Sequence, residues 1–212
     1  AGGHSVKDEE PKFGLVALGI VKNDQLLTKS GARPGDRLFL SKPLGTGVIT
    51  TALKRSLTSA DELEDAVIWM KRLNREAAQL AVDFGLHGAT DVTGFGLIGH
   101  AMEMAEASGV SLRIHYSSIP LMKAAQKYAE AYTFPGGASD NMEYFSPKVT
   151  LEGELSINLL TLLYDPQTSG GLLIAVPEEK ASQFQAEADA RAIPMWQIGT
   201  VSTGSGIAIQ AE

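Results

Sequence analysis

The chain has 212 residues, of which 44% are hydrophobic and 20% charged, the balance of an ordinary globular protein with enough length for a proper core. A formal net charge of -7 argues against nonspecific nucleic-acid binding, though a local cation or a helix terminus can still reverse the field at one site. Cysteine is absent, which excludes disulfides, thiolate metal sites and a Cys nucleophile within these residues and fits a cytoplasmic setting. No apolar run approaches the roughly 20 residues a bilayer-crossing helix needs, and no signal-peptide pattern opens the chain.

In chain order, Ala1-Gly2-Gly3-His4-Ser5 comes first. Paired glycines let backbone approach a phosphate, and His4 can donate to one. The alternative is an unstructured terminus. A first residue Ala followed by two glycines reads as a cut inside a longer chain, with simple Met removal as the alternative. Phe13 to Val21 is apolar and rich in β-formers, so a buried strand is expected there. Gly31 to Asp36 is a turn cluster, Arg37 to Ser41 a short strand, and Thr46 to Arg55 a helix. Lys42-Pro43-Leu44-Gly45-Thr46-Gly47 between them mimics a phosphate loop but lacks the Walker Gly-Lys-Ser/Thr, and reads as strand-to-helix packing.

Asp61 to Phe84 predicts one long helix, because Leu63, Val67, Met70, Leu73, Ala77, Leu80 and Ala81 recur at three- and four-residue steps. Ser59 and Glu62 have the spacing of a capping box, and Gly85 suits the position after the helix. Gly96 to Ala107 predicts another helix, and Val110 to His115 alternates as a half-buried strand. Pro120 suits the first turn of a helix ending before Pro135. Phe134 to Pro147 reads as a surface loop. Leu155 to Tyr164 reads as a helix and Gly171 to Val176 as a strand. Pro177 opens a helix with Glu178 and Glu179 in its first turn. Met195 to Val201 and Gly206 to Gln210 read as a closing hairpin. Without strict βαβ alternation, the expected class is α+β, a mixed β-sheet flanked by helices.

The strongest chemical signal is Asp91-Val92-Thr93-Gly94-Phe95-Gly96-Leu97-Ile98-Gly99-His100. It places one carboxylate on a Gly-punctuated turn ahead of a helix, where backbone N–H groups and a hard oxygen can meet a phosphate and Mg2+. The alternative is that Asp91 caps the helix. Phe95 reads as a core anchor and His100, near Glu103, as a helix-surface or satisfied core histidine. Asp165-Pro166-Gln167-Thr168-Ser169-Gly170-Gly171 reads first as a structural turn, with ligand contact from Thr168 or Ser169 as the minor reading.

Taken together, AGGHS, PKFGLVALGIV, KPLGTGVITTALKR, TDVTGFGLIGHAMEMA, PGG and DPQTSGGLLIAV resemble the selenophosphate synthetases (selenide, water dikinases). These belong to the ATP-binding superfamily that includes aminoimidazole ribonucleotide synthetase. The resemblance implies the C-terminal domain of that superfamily across residues 31–212, with 1–30 as the tail of a preceding ATP-binding domain. It implies ATP-driven synthesis of selenophosphate from selenide and water, with release of AMP and phosphate, and it implies Mg2+ and a homodimer. Gly2, Gly3 and His4 carry over as ATP contacts and Asp91 as a Mg2+ ligand. The family's reactive Cys or selenocysteine, its essential Lys and its other metal-binding Asp residues have no counterpart here. No catalytic residue is therefore assigned, and the chain by itself is expected to be inactive. Another superfamily member, such as a thiamine-phosphate kinase or a purine-pathway synthetase, and a non-catalytic interaction module are the competing readings.

Overall fold

The computed structural model describes Glu9, Val16 and residues 18–211. Among these, seven strands form one sheet and eight α-helices pack around it. In chain order they are β1 (Arg37–Leu40), α1 (Thr46–Lys54), α2 (Ala60–Lys71), α3 (Arg75–Asp83), β2 (Gly88–Asp91), α4 (Gly96–Ser108), β3 (Ser111–His115) and α5 (Ala125–Glu130). Then follow α6 (Gly136–Phe145), β4 (Val149–Glu152), α7 (Ile157–Leu162), β5 (Leu172–Val176), α8 (Glu178–Ala190), β6 (Trp196–Ser202) and β7 (Ile207–Gln210).

The sheet order is β2-β5-β1-β6-β3-β7-β4. Pairing is antiparallel from β2 through β3, then parallel for β3/β7 and β7/β4. The mixed α+β class expected from the sequence is the one found.

Period-two alternation decides which face each side chain covers. Leu38 and Leu40 of β1, with Leu173 and Ala175 of β5, join the core beneath α4. Phe39, Ile174 and Val176 point the other way, against α3 and α8, where Phe184 meets Phe39 edge-on at 5.2 Å. Both faces of these strands are thus buried, which is why they read as continuous apolar runs. A third cluster lies off the sheet among α1, α2, α5 and α7, centred on Val48, Ile49 and Tyr128.

Several sequence expectations change. The helix expected over Asp61–Phe84 is two, α2 and α3, interrupted at 72–74, where Arg72 has extended backbone. The break is held from outside. Asn74 Nδ2 donates to the Gly170 carbonyl (2.9 Å) and Ser169 Oγ to that of Met70 (2.7 Å). Leu73, assigned above to the apolar face, is exposed. The capping box at Ser59 is present, with its hydroxyl accepting from the Glu62 N–H and the Ser59 N–H donating to Glu62. Gly85 follows α3 with φ +62°.

The expected hairpin of the last two strands does not form, because β3 lies between β6 and β7. The loop expected over 134–147 contains α6, whose Ala138, Asn141 and Phe145 face inward at helical spacing. Pro120 does not start a helix. Its carbonyl accepts from Leu44 N–H in a short bridge, and α5 begins only at Ala125. The strand expected over 13–21 is not found among its described residues: Val16, Leu18, Ile20 and Val21 are exposed and lie in no strand.

Candidate functional site

Strands β1 and β2 both run antiparallel to β5, which lies between them. The C-terminal ends of β1 and β2 and the N-terminal start of β5 therefore meet at one end of the sheet. Three Gly-containing loops emerge there: 42–47, 92–95 and 165–171. The sequence had singled out all three without indicating that they touch.

The loop before β5 is the centre of this cluster. Asp165 has no exposed surface, and its Oδ2 accepts from the N–H groups of Gly47 (2.9 Å) and Val48 (3.2 Å) in the first turn of α1. Gln167 Oε1 accepts from the N–H groups of Gly45 (2.9 Å) and Thr46 (3.2 Å). The orphan donors that a helix N-terminus exposes are thus consumed by side chains from this loop, not offered to a phosphate. The reading of 42–47 as packing fits this arrangement. Gly47 is required by it, since a Cβ there would lie 2.2 Å from Asp165 Oδ1. That second oxygen is buried without a hydrogen-bond partner, and burial pushes the Asp165 carboxyl up to about 7 despite the donors from Val48, Gln167 and Gly47.

Lys42 is buried beside the same loop, its ammonium donating to the Ser169 carbonyl at 2.7 Å. Desolvation and the nearby Arg72 lower its pKa. Ser169 sits at φ +53°. Two more contacts tie this loop to the Asp91 segment: Gln167 N–H donates to the Thr93 carbonyl (2.9 Å) and Val92 N–H to that of Gly171 (2.8 Å). Gly170 packs so closely that a Cβ would stand 1.8 Å from the Val92 carbonyl oxygen. From the other side, Asn141 of α6 donates to the carbonyls of Gly94 (2.9 Å) and Tyr164 (3.0 Å).

Asp91 is the last residue of β2 and is exposed; the turn begins only after it. Its carboxylate borders an open groove lined by Leu27, Lys29, Ala78, Ala89 and Thr90. It does not cap α4, whose N-cap is Phe95 with no side-chain cap. Among the described residues its recorded side-chain donors are hydroxyls: Thr93 Oγ at 2.8 Å to Oδ2 and Thr90 Oγ at 3.5 Å to Oδ1. Phe95 is not a core anchor. It is 47% exposed, with its ring 5.4 Å from that of His100 and 5.9 Å from that of Phe145.

His100 is buried, 5% exposed, beneath this turn. Its Nε2 lies 3.2 Å from Thr93 Oγ and 3.4 Å from Phe95 N. Its Nδ1 is 3.3 Å from Glu103 Oε2 but off the line of a good hydrogen bond. Glu103 Oε2 in turn takes Lys29 Nζ at 2.6 Å. Desolvation lowers the His100 pKa, opposed by Asp91 and Glu103, so the ring is neutral near pH 7. Sequence reading missed His100 as a partner of this turn. Its seven-residue spacing from Thr93, two turns along the start of a helix, was the available signal.

Gly2, Gly3 and His4 lie outside the described residues. Among the described residues no group of three or more His, Cys, Asp or Glu side chains could hold a metal ion by itself. None of the described helices is long and apolar enough to cross a membrane.

A three-layer domain with a mixed sheet and Gly-rich loops gathered at one sheet end defines the class. The model of the family described as "AIR synthase related protein, C-terminal domain" matches residues 33–212, and the chain belongs to that family. Solved structures share its fold. Thiamine-monophosphate kinase from Stenotrophomonas maltophilia K279a superposes with a TM-score of 0.65 at 17% identity, covering 89% of this chain and 54% of that one. Hydrogenase maturation protein HypE in complex with ATP gives 0.62 at 18% identity, covering 87% and 50%.

Within the family, the chain is similar to proteins named selenide, water dikinase. The one from Caldanaerobacter subterraneus subsp. tengcongensis is 47% identical over 184 residues, 87% of this chain and 53% of the relative. The one from Trichlorobacter lovleyi is 44% identical over 200 residues, 94% of this chain and 58% of the relative. The chain thus spans somewhat more than half the length of the curated relatives it matches.

Proposed function

We propose that this chain is the C-terminal part of a selenophosphate synthetase, which uses ATP to phosphorylate selenide and releases AMP and phosphate. The observation that carries the reading is the identity of 47% to a selenide, water dikinase along 87% of the chain, well above the 17% shared with the thiamine-monophosphate kinase neighbour. In this reading residues 31–212 are the C-terminal domain, residues 1–30 trail from an ATP-binding domain, and the complete enzyme is a cytoplasmic homodimer.

Phosphoryl transfer is mainly positioning plus neutralisation of phosphate charge, and Mg2+ supplies the latter when bound. Asp91 fits one hard oxygen ligand, being an exposed carboxylate at the end of β2 that does not cap α4. It does not fit a complete site, since no cluster of ligating side chains surrounds it among the described residues. Mg2+ usually completes its sphere with waters and substrate phosphates, so one carboxylate from this domain suffices as a share. Gly2, Gly3 and His4 are proposed to contact ATP. With one metal-binding carboxylate proposed among the described residues and Lys42 engaged by the Ser169 carbonyl, no ATP turnover is expected from the chain alone.

Asp91→Asn in the full-length enzyme tests the reading. The expected result is weakened Mg2+–ATP binding and AMP formation slowed at least about 100-fold, the scale on which charge-stabilising groups act. Near-normal kinetics would remove Asp91 from the metal site.

A further inference from the structure

The Thr93 hydroxyl stands between two acceptors. Asp91 Oδ2 is 2.8 Å away and His100 Nε2 is 3.2 Å away, and the hydroxyl has a single proton to give. The shorter contact takes it, so the carboxylate is held by Thr93. The histidine's state follows from its other neighbours. The Phe95 N–H points at Nε2 from 3.4 Å, which makes Nε2 the lone-pair nitrogen, and Nδ1 carries the hydrogen toward Glu103 Oε2 at 3.3 Å. Glu103 is itself fixed by Lys29 from the turn preceding β1. The groups facing the ring are therefore Asp91 from the end of β2, Glu103 from its own helix, Lys29, and the Phe95 ring. A buried imidazole thus presents its unprotonated nitrogen to the hydroxyl of the residue two places after the strand-end carboxylate.

We infer that Thr93 and His100 are positioning residues for a divalent cation held by Asp91, with the Thr93 hydroxyl acting as a two-position latch. Without the cation, the hydroxyl donates to Oδ2 and fixes the carboxylate's orientation at the strand end. When a cation draws on that oxygen, Oδ2 becomes the poorer acceptor. Rotation about the Thr93 Cβ–Oγ bond then turns the same proton to His100 Nε2. No bond to hydrogen breaks and no charge changes; one hydrogen bond replaces another, so the half-buried hydroxyl is never left unsatisfied. The Phe95 N–H contact is already long at 3.4 Å and loses little. The exchange depends on the acceptor behind the hydroxyl, so loss of the imidazole should cost about 10-fold in cation affinity, the lower end of what partners behind a metal ligand control.

This inference rests on the proposed cation role of Asp91, and its test separates the two. Full-length protein is titrated with Mn2+ in the presence of a non-hydrolysable ATP analogue, with free Mn2+ read by electron paramagnetic resonance. Asp91→Asn reports on the underlying reading. His100→Phe, which removes the acceptor and strands the Thr93 hydroxyl once the cation has taken Oδ2, should weaken Mn2+ binding about 10-fold, and adding Thr93→Val to it should restore binding to within about twofold. His100→Phe binding like wild type while Asp91→Asn fails overturns the latch and leaves the Asp91 reading standing. Unaltered binding in Asp91→Asn overturns both. A second readout needs no substitution. With 15N-labelled histidine, saturating Mg2+ and the same analogue should move the His100 Nε2 resonance in the direction of an accepted hydrogen bond, with Nδ1 remaining protonated. An unchanged Nε2 resonance at saturation overturns the proposal.

Discussion

Asp165 makes the stability of this domain depend on pH in a direction opposite to that of most carboxylates. Its carboxyl is fully buried at the first turn of α1 and titrates near 7, against 3.8 for a free side chain, with burial as the dominant cause. Between these values the folded chain keeps a proton that the unfolded chain has released. Stability is then complete below about pH 4, falls as pH rises toward 7, and levels off above it. At roughly 1.4 kcal/mol per pH unit, the interval gives a ceiling of about 4 kcal/mol. Asp165→Asn copies the neutral form, since its amide oxygen can still accept from the N–H groups of Gly47 and Val48. Its NH2 group replaces the unpartnered Oδ1 and adds an offset that does not vary with pH. Urea unfolding of both proteins at steps from pH 4.5 to 8 measures the difference. The variant should gain on wild type by about 2–4 kcal/mol across that range, beginning level or slightly behind. A difference constant to within about 0.5 kcal/mol would show that Asp165 is ionised in the fold throughout, and would refute the argument.

Gly170→Ala should destabilise the domain by more than about 3 kcal/mol in the same unfolding assay, because its Cβ would stand 1.8 Å from a backbone oxygen, Val92 O, that has no rotamer to escape into. Asn141→Ala removes the donor shared by the Gly94 and Tyr164 carbonyls, and a loss of about 2 kcal/mol is expected, with faster amide exchange in residues 92–95 as the local readout. Ser59→Ala dismantles the capping box of α2 for about 1 kcal/mol. An equal melting temperature would show that α2 is held by its neighbours alone.

Much of the fold was legible because short-range chemistry encodes it. The capping box at Ser59, the left-handed glycine Gly85 after α3 and the apolar runs of β1 and β5 each depend on neighbours a few residues away. α6 was missed: its glycines and polar residues hid a helix whose buried face, Ala138, Asn141 and Phe145, is narrow. The α2–α3 break was not legible. The apolar period runs through it, and the interruption comes from contacts with Ser169 and Gly170, about 100 residues away in sequence.

The site divides along the same line. Asp91 could be named from its motif, because a carboxylate flanked by glycines is a local pattern. Whether it would cap α4 or stand free was a question of geometry, answered by a strand end that aims it into a groove and a Thr93 hydroxyl that holds it. Sequence by itself determined which residues prefer water, which turn and which repeat on one face. Only the tertiary structure decided that β3 separates the last two strands, that Asp165 fills the helix terminus a phosphate could have used, and that His100 stands behind Thr93. Periodicity specifies the face a side chain turns inward, whereas the partner it meets there is selected by closure of the whole chain.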